Sequence, residues 1–176
     1  ESGYSGGDLT NPTYENHIGH QEVVKVNFDP NVINYKDLLQ QYWINIDPFD
    51  NMGQFCDRGN SYKPVIFTSN QEQESKARDS QKTISVALNI PLDQLKVDII
   101  DSKAFWIAEE YHQDYAVKNP LRYSFYRSSC ARDKRLEKVW GNYRNQSYLY
   151  KDWLDKIFIF LYKSIGLKTQ FFYPIN

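Results

Sequence analysis

Over residues 21–28 the apolar Val24, Val26 and Phe28 alternate with polar residues, the period of a half-buried strand, and Asp29-Pro30 ends the run. Asn34 then stands as the N-cap of a helix over 35–45, in which Leu38, Leu39, Tyr42 and Trp43 share one face. Residues 47–60 hold Pro48, Gly53 and Gly59 and predict a long loop before a strand at 62–68. Ser69 with Glu72 has the form of a capping box opening a polar helix to position 88, with Ala77, Ile84, Ala87 and Leu88 facing inward. A third strand is expected at 95–100. The stretch 104–117 reads as a loop leading into a short helix, which stops before Asn119-Pro120 because a residue preceding proline disfavours helical backbone.

The two ends of the chain differ from this strand-helix alternation. Residues 1–20 carry Gly3, Gly6, Gly7, Pro12 and Gly19 with little periodicity, so they predict an irregular, turn-rich loop. Over 148–165, Leu149, Trp153, Leu154, Ile157, Phe158, Leu161 and Ile165 recur at helical spacing and predict an amphipathic helix, docked on its own domain rather than on a partner or a membrane surface. No repeat and no Pro- or Gly/Ser-rich linker divides the chain.

Length and charge narrow the function classes. A chain of 176 residues is expected to form one domain, and 21 basic against 22 acidic side chains give no field that would draw nucleic acid or anionic lipid. An aromatic content of 16% and an apolar content of 41% exclude disorder as the main state, and no apolar run is long enough to span a bilayer. Cys56 and Cys130 are too few for a disulfide scaffold. Free thiols, a pair and a redox couple all stay open, and with them the compartment, a cytoplasmic setting being preferred over an exported one.

Three clusters carry chemistry. Asn11 to Tyr14 and Gly19-His20-Gln21-Glu22 bring a phenol and a carboxyl to the mouth of the first strand, where a rigid sheet can hold groups delivered by a loop. Gln54-Phe55-Cys56-Asp57-Arg58-Gly59 with Tyr62 sets a thiol beside charges of both signs. Ala108-Glu109-Glu110-Tyr111-His112-Gln113 is the third. His17, His20, Glu22 and His112 lack the spacing of a zinc or His-Glu-x-x-His site, so no metal is expected, and the glycine fingerprints of phosphate and dinucleotide loops are missing too.

Taken in order, Gly3-Tyr4-Ser5-Gly6-Gly7, Asn11 to Tyr14, Gly19 to Glu22, Asp29-Pro30, Asp47-Pro48, Gln54 to Tyr62 and Ala108 to Tyr115 resemble peptide methionine sulfoxide reductase A. The segment 123–140, with Cys130-Ala131-Arg132-Asp133, resembles a C-terminal extension found in part of that family. The resemblance implies an α+β domain, a central mixed sheet flanked by helices, over 1–140, followed by a helical extension over 141–176. It also implies reduction of methionine-S-sulfoxide, peptide-bound or free, without cofactor or metal, and with thioredoxin or a similar dithiol as reductant.

In the mechanism that the family implies, a thiolate attacks the sulfoxide sulfur and the departing oxygen takes a proton. That proton comes from the carboxyl at Glu22, assisted by Tyr14, Asp57 and Tyr62. Cys130, and after it Cys56, are the candidates for the thiol that resolves the sulfenic acid to a disulfide. The family's nucleophile sits in a Gly-Cys-Phe-Trp segment ahead of the Gly-Tyr-x-Gly-Gly motif; the 176 residues contain no Cys-Phe-Trp, so this segment is expected upstream of Glu1. The alternative is a non-catalytic relative that binds oxidised methionine or a protein partner.

Overall fold

The alternation at 21–28 becomes strand β2 (Gln21–Phe28), with Phe28 and Val26 in the main core and Val23 in a smaller cluster on the other face. The computed structural model describes residues 1–146 and 169–174. Its other strands are β1 (Ser2–Ser5), the short pair β3 (Gly53–Gln54) and β4 (Asp57–Arg58), β5 (Val65–Thr68), β6 (Asp98–Asp101), β7 (Trp106–Ile107) and β8 (Thr169–Pro174). The helices are α1 (Tyr35–Ile44), α2 (Gln71–Ala87), α3 (Tyr115–Lys118), α4 (Pro120–Ser129) and α5 (Arg132–Gln146). Six strands form one mixed sheet in the order β6-β5-β8-β2-β1-β7, parallel only between β5 and β6. The fold is α+β, with α1, α2 and α5 contributing to one core against the sheet.

Several elements depart from the expected boundaries. The first residues are not all loop: β1 pairs with β2 and with β7, and Tyr4 is buried. Gly3 is there for space, since a Cβ would lie 2.3 Å from both the Phe105 ring and the Trp106 carbonyl. The cap of α2 is Asn70, whose side chain accepts from the Gln73 N–H at 2.9 Å, one residue beyond the expected Ser69. Ala77 and Ile84 face inward and Leu88 packs at the core edge, but Ala87 is exposed. The strand expected at 95–100 begins three residues late, at Asp98, because the Lys96 N–H is bonded to the Pro48 carbonyl rather than to a strand. Residues 47–59 are loop apart from the β3-β4 pair, Asn60–Tyr62 forms a 3-10 turn, and the strand expected at 62–68 begins only at Val65.

The Asn34 cap is as the sequence predicts, its side chain accepting from the Asp37 N–H at 3.0 Å. Asn34→Ala is therefore expected to lower the unfolding free energy by about 1 kcal/mol, read as a shift in urea midpoint at constant slope.

The segment 123–140 is not a loose extension. α4 and α5 are regular helices, and α5 continues through the 140/141 boundary to Gln146. Arg132, Leu136 and Trp140 recur every four positions, with Arg135 three after Arg132, so they share a face. Leu136 and Trp140 enter the core, Trp140 Nε1 donates to the Ile46 carbonyl at 2.8 Å, and Arg132 donates to the Asn45 carbonyl at 3.0 Å. Arg135 grips the buried Asp47 carboxylate with two nitrogens, at 2.5 and 3.0 Å. The amphipathic helix expected over 148–165 lies outside the described residues.

Candidate active site

Glu22 occupies the second position of β2, in phase with Val24, Val26 and Phe28, so the pleat turns its carboxyl toward the covered face of the sheet rather than to water. It is only 7% exposed, and its Oε1 has no hydrogen-bond partner. Burial holds this carboxyl above the usual carboxylate range; the Tyr62 hydroxyl and His17 pull the other way, while the charges of Asp57 and Glu109 add to the rise. A carboxyl in this state is a proton donor nearer neutrality than a solvated one.

A second carboxyl is arranged for the opposite state. Glu109, which follows β7, accepts from the Tyr4 hydroxyl at 2.9 Å and from the Tyr14 N–H at 2.8 Å. Desolvation alone would raise it, but the bonds from Tyr14, its own backbone and Tyr4 lower it below the ordinary value. Two neighbouring carboxyls are thus pushed apart, one toward the acid and one toward the anion. The Tyr62 phenol is raised, by burial first and then by the Glu22 charge and hydrogen bond, so it remains a donor.

Around the carboxyls the rings form a rim. Tyr4 stacks on His17 with centroids 5.1 Å apart, and Tyr14 meets His112 at 5.1 Å. Tyr14 is the exposed member, at 47%. Asp57 enters from the β3-β4 hairpin, where its carboxylate accepts a hydrogen bond from the Tyr126 hydroxyl of α4. The hairpin is fixed from beneath: the Gln54 side chain accepts from the Asp47 N–H at 2.8 Å and donates to the Asp47 carbonyl at 2.9 Å. Phe55 at its tip has φ 54°, a costly conformation for an aromatic residue, and its ring is covered by the Arg132 guanidinium at 4.5 Å.

The four residues Glu22, Tyr14, Asp57 and Tyr62 are brought together. Cys56 and Cys130 are joined to each other in a disulfide, with a Cα separation of 5.2 Å, so the structure has them as a pair and neither cysteine of the chain is free. The bond ties the hairpin beside Asp57 to the turn between α4 and α5. Cys56 is exposed, so this disulfide is open to exchange. Because it closes a chain separation of 74 residues, Cys130→Ser is expected to lower the unfolding free energy by roughly 2–4 kcal/mol, measured by guanidinium denaturation against the oxidised parent.

His20 is structural: buried, it accepts at Nδ1 from the Gly7 N–H (3.3 Å) and donates from Nε2 to the Leu9 carbonyl (2.9 Å), so both nitrogens are used. Among the described residues no three His, Cys, Asp or Glu side chains gather as metal ligands. Sequence reasoning did not single out Tyr4, Glu109 or Tyr126, and weighed His17 only as a metal ligand. Tyr4 and Glu109 lie inside quoted motifs, yet the bond joining them spans 105 residues and has no local signature.

Comparison with known proteins gives a consistent outcome. Residues 1–144 match the family model described as peptide methionine sulfoxide reductase. The peptide methionine sulfoxide reductase MsrA of Bacillus licheniformis is 46% identical over 145 residues, 80% of each chain. The MsrA/MsrB protein of Vibrio cholerae is 42% identical over 160 residues, which are 88% of this chain and 42% of that one, so the chain spans less than half of this relative. Among solved structures, methionine sulfoxide reductase A of Corynebacterium diphtheriae superposes with a TM-score of 0.59 at 27% identity, over 68% of this chain and 63% of that chain.

Proposed function

Since the chain belongs to the peptide methionine sulfoxide reductase family, we propose that it serves the thiol-dependent reduction of methionine-S-sulfoxide, free or in peptides, with Glu22 donating the proton that the departing oxygen needs. The observation that carries this reading is the Glu22 carboxyl itself: buried, raised in pKa, and set among phenols beside a second, anionic carboxyl. An S–O bond breaks only as its oxygen gains a proton or strong hydrogen bonds, and a carboxyl that holds its proton more tightly than a solvated one can supply both. Tyr62 and Tyr14 are the phenols proposed to hold the sulfoxide oxygen, and Asp57 is a charge that adds to the rise burial gives Glu22.

This proposal takes its attacking thiol from the Gly-Cys-Phe-Trp segment that the family resemblance implies, a segment the 176 residues do not contain. Its thiolate attacks the sulfoxide sulfur; as Glu22 protonates the oxygen the S–O bond breaks, the hydroxyl passes to the cysteine sulfur and the bond between the two sulfurs is released, giving methionine and a sulfenic acid. In the reduced chain Cys130 or Cys56 condenses with that sulfenic acid, releasing water and forming a mixed disulfide. Exchange within the Cys56–Cys130 pair frees the nucleophile, and a dithiol such as thioredoxin returns the pair to thiols. The pairing of both cysteines also favours a second reading, a non-catalytic module that binds oxidised methionine.

The deciding assay follows a peptide carrying one methionine sulfoxide by mass, with dithiothreitol as reductant. Loss of one oxygen from the S epimer but not the R epimer, abolished by prior alkylation of the reduced protein, is the expected result. Binding of the S epimer without turnover supports the binding module instead.

A further inference from the structure

We infer that His17 is a positioning residue for the proposed acid: it carries protons from solvent to Oε1 of Glu22 between turnovers. This inference rests on the functional reading above and adds to it the return path of the proton.

Glu22 must be reloaded once per sulfoxide. In the step proposed, thiolate, protonated Glu22 and sulfoxide give sulfenic acid, methionine and the Glu22 carboxylate, and the next cycle needs one proton from water. That carboxylate is 7% exposed, and its Oε1 is the oxygen without a hydrogen-bond partner. Nε2 of His17 lies 3.7 Å from it.

The orientation of the imidazole is fixed on its other side. Nδ1 of His17 is 3.0 Å from the Thr13 carbonyl, which can only accept, so Nδ1 carries a hydrogen and the Nε2 lone pair faces Glu22. The ring is clamped flat on Tyr4, 5.1 Å between centroids and 16° between planes. With a side-chain exposure of 15%, against 9% for Glu22, it touches both water and the buried acid. Imidazole is the side chain best matched to proton exchange near neutral pH. Nε2 takes a proton from water, a shift of a few tenths of an ångström brings it into bonding range, and Oε1 receives that proton. Nδ1–H and its bond to Thr13 persist throughout.

The charged and titratable groups facing this pair are few. Tyr4 comes from β1, Tyr14 and Glu15 from the loop of His17 itself, and Asp57 and Tyr62 from the hairpin and the turn after it; Glu109, Tyr111 and His112 follow β7. His112 is turned toward Glu109, 3.9 Å away, rather than toward Glu22.

The test uses His17→Gln and His17→Phe, the second keeping a ring on Tyr4 but no proton path. In steady-state reduction of an S-sulfoxide peptide by the intact protein, both are expected to lower kcat on the order of tenfold near pH 8, less than removal of the acid itself would, with KM unchanged and partial rescue by added imidazole. Independently of turnover, the carboxyl signal of Glu22, followed by carbon-13 NMR against pH, is expected to titrate at higher pH in both variants, because a nearby imidazolium cation that favours the carboxylate has been removed. Unchanged kcat across the pH range with an unchanged Glu22 titration overturns the inference. A loss of kcat that is equal at all pH values and not rescued by imidazole also overturns it, marking His17 as structural. If the unsubstituted protein reduces no sulfoxide, the functional reading fails and the relay with it, and the NMR titration then reports the pairing of the two side chains alone.

Discussion

Glu22→Gln is expected to slow sulfoxide reduction by about 10²–10⁴-fold, the span over which a positioned acid acts, while leaving the fold intact. Glutamine keeps the shape and can still accept from Tyr62, but it has no proton to release to a departing oxygen. The accompanying change in pH dependence is diagnostic. With Glu22 present, the acid-dependent step weakens as pH rises through the raised value of this carboxyl; in the variant that limb of the profile is absent. Retention of turnover within tenfold of the parent would remove Glu22 from the proposed role.

The same substitution makes a prediction about stability, and its sign follows from linkage. The folded state holds the Glu22 proton more tightly than the unfolded chain, whose value lies near the ordinary 4.5. Between that value and the raised one the native state therefore binds more protons, and stability falls as pH increases. Glutamine has no such loss, so Glu22→Gln is expected to be more stable than the parent at neutral pH and to lose that advantage below the unfolded-state value. Urea midpoints at pH 4 and pH 7 read this directly. A variant slower in catalysis yet harder to unfold is the pattern of a group kept for chemistry rather than for the fold.

How far this site was legible depends on the range of the forces that build it. β2 is readable because alternation is local, and the position of Glu22 in phase with Val24, Val26 and Phe28 already argues against a solvent-facing role. β1 is hidden because Gly3 and the Gly6-Gly7 pair read as turn punctuation, whereas Gly3 admits the Phe105 ring and the Trp106 backbone. The choice of Asn70 over Ser69 as a cap is a one-residue competition between two good capping side chains. Glu109 is the instructive omission. Its effect comes from Tyr14 and Tyr4, 95 and 105 residues away, and only the closing of β1 between β2 and β7 brings them within reach. The Cys56–Cys130 bond is of the same kind: spacing alone sets no distance between thiols 74 positions apart.

The segment 123–140 shows the converse, regular structure whose purpose is invisible until it is packed. α5 carries little apolar residue along its length, yet its Arg132, Arg135, Leu136 and Trp140 are matched to one strip of chain, residues 45–54, by two guanidinium clasps and a buried indole. That strip leads into the hairpin carrying Asp57. The extension therefore holds a site residue in place, first through this clasp and again through Tyr126 and the disulfide.

Trp140→Ala is accordingly expected to be the most destabilising single change outside the sheet, by about 3–5 kcal/mol. The indole is 0% exposed and meets Tyr143 edge-on at 5.8 Å, so truncation opens a cavity between α5 and α1 that the helix can fill only by shifting as a whole. It also strips the Ile46 carbonyl of its 2.8 Å hydrogen bond, adding the cost of an unsatisfied buried acceptor. Trp140→Phe separates the two contributions: most of the apolar volume stays, the N–H is lost, and about 1–3 kcal/mol is the expected cost. Urea denaturation of both variants at one pH measures the difference. Below their melting ranges, turnover per folded molecule should stay close to the parent in the Phe variant, since the loop's anchors at Arg132, Arg135 and Gln54 remain. In the Ala variant it should fall, because the loop that presents Asp57 loses its support. Equal stability of Trp140→Ala and the parent would mean that α5 rests on the domain without holding it, and that Asp57 is positioned by Tyr126, Gln54 and the disulfide.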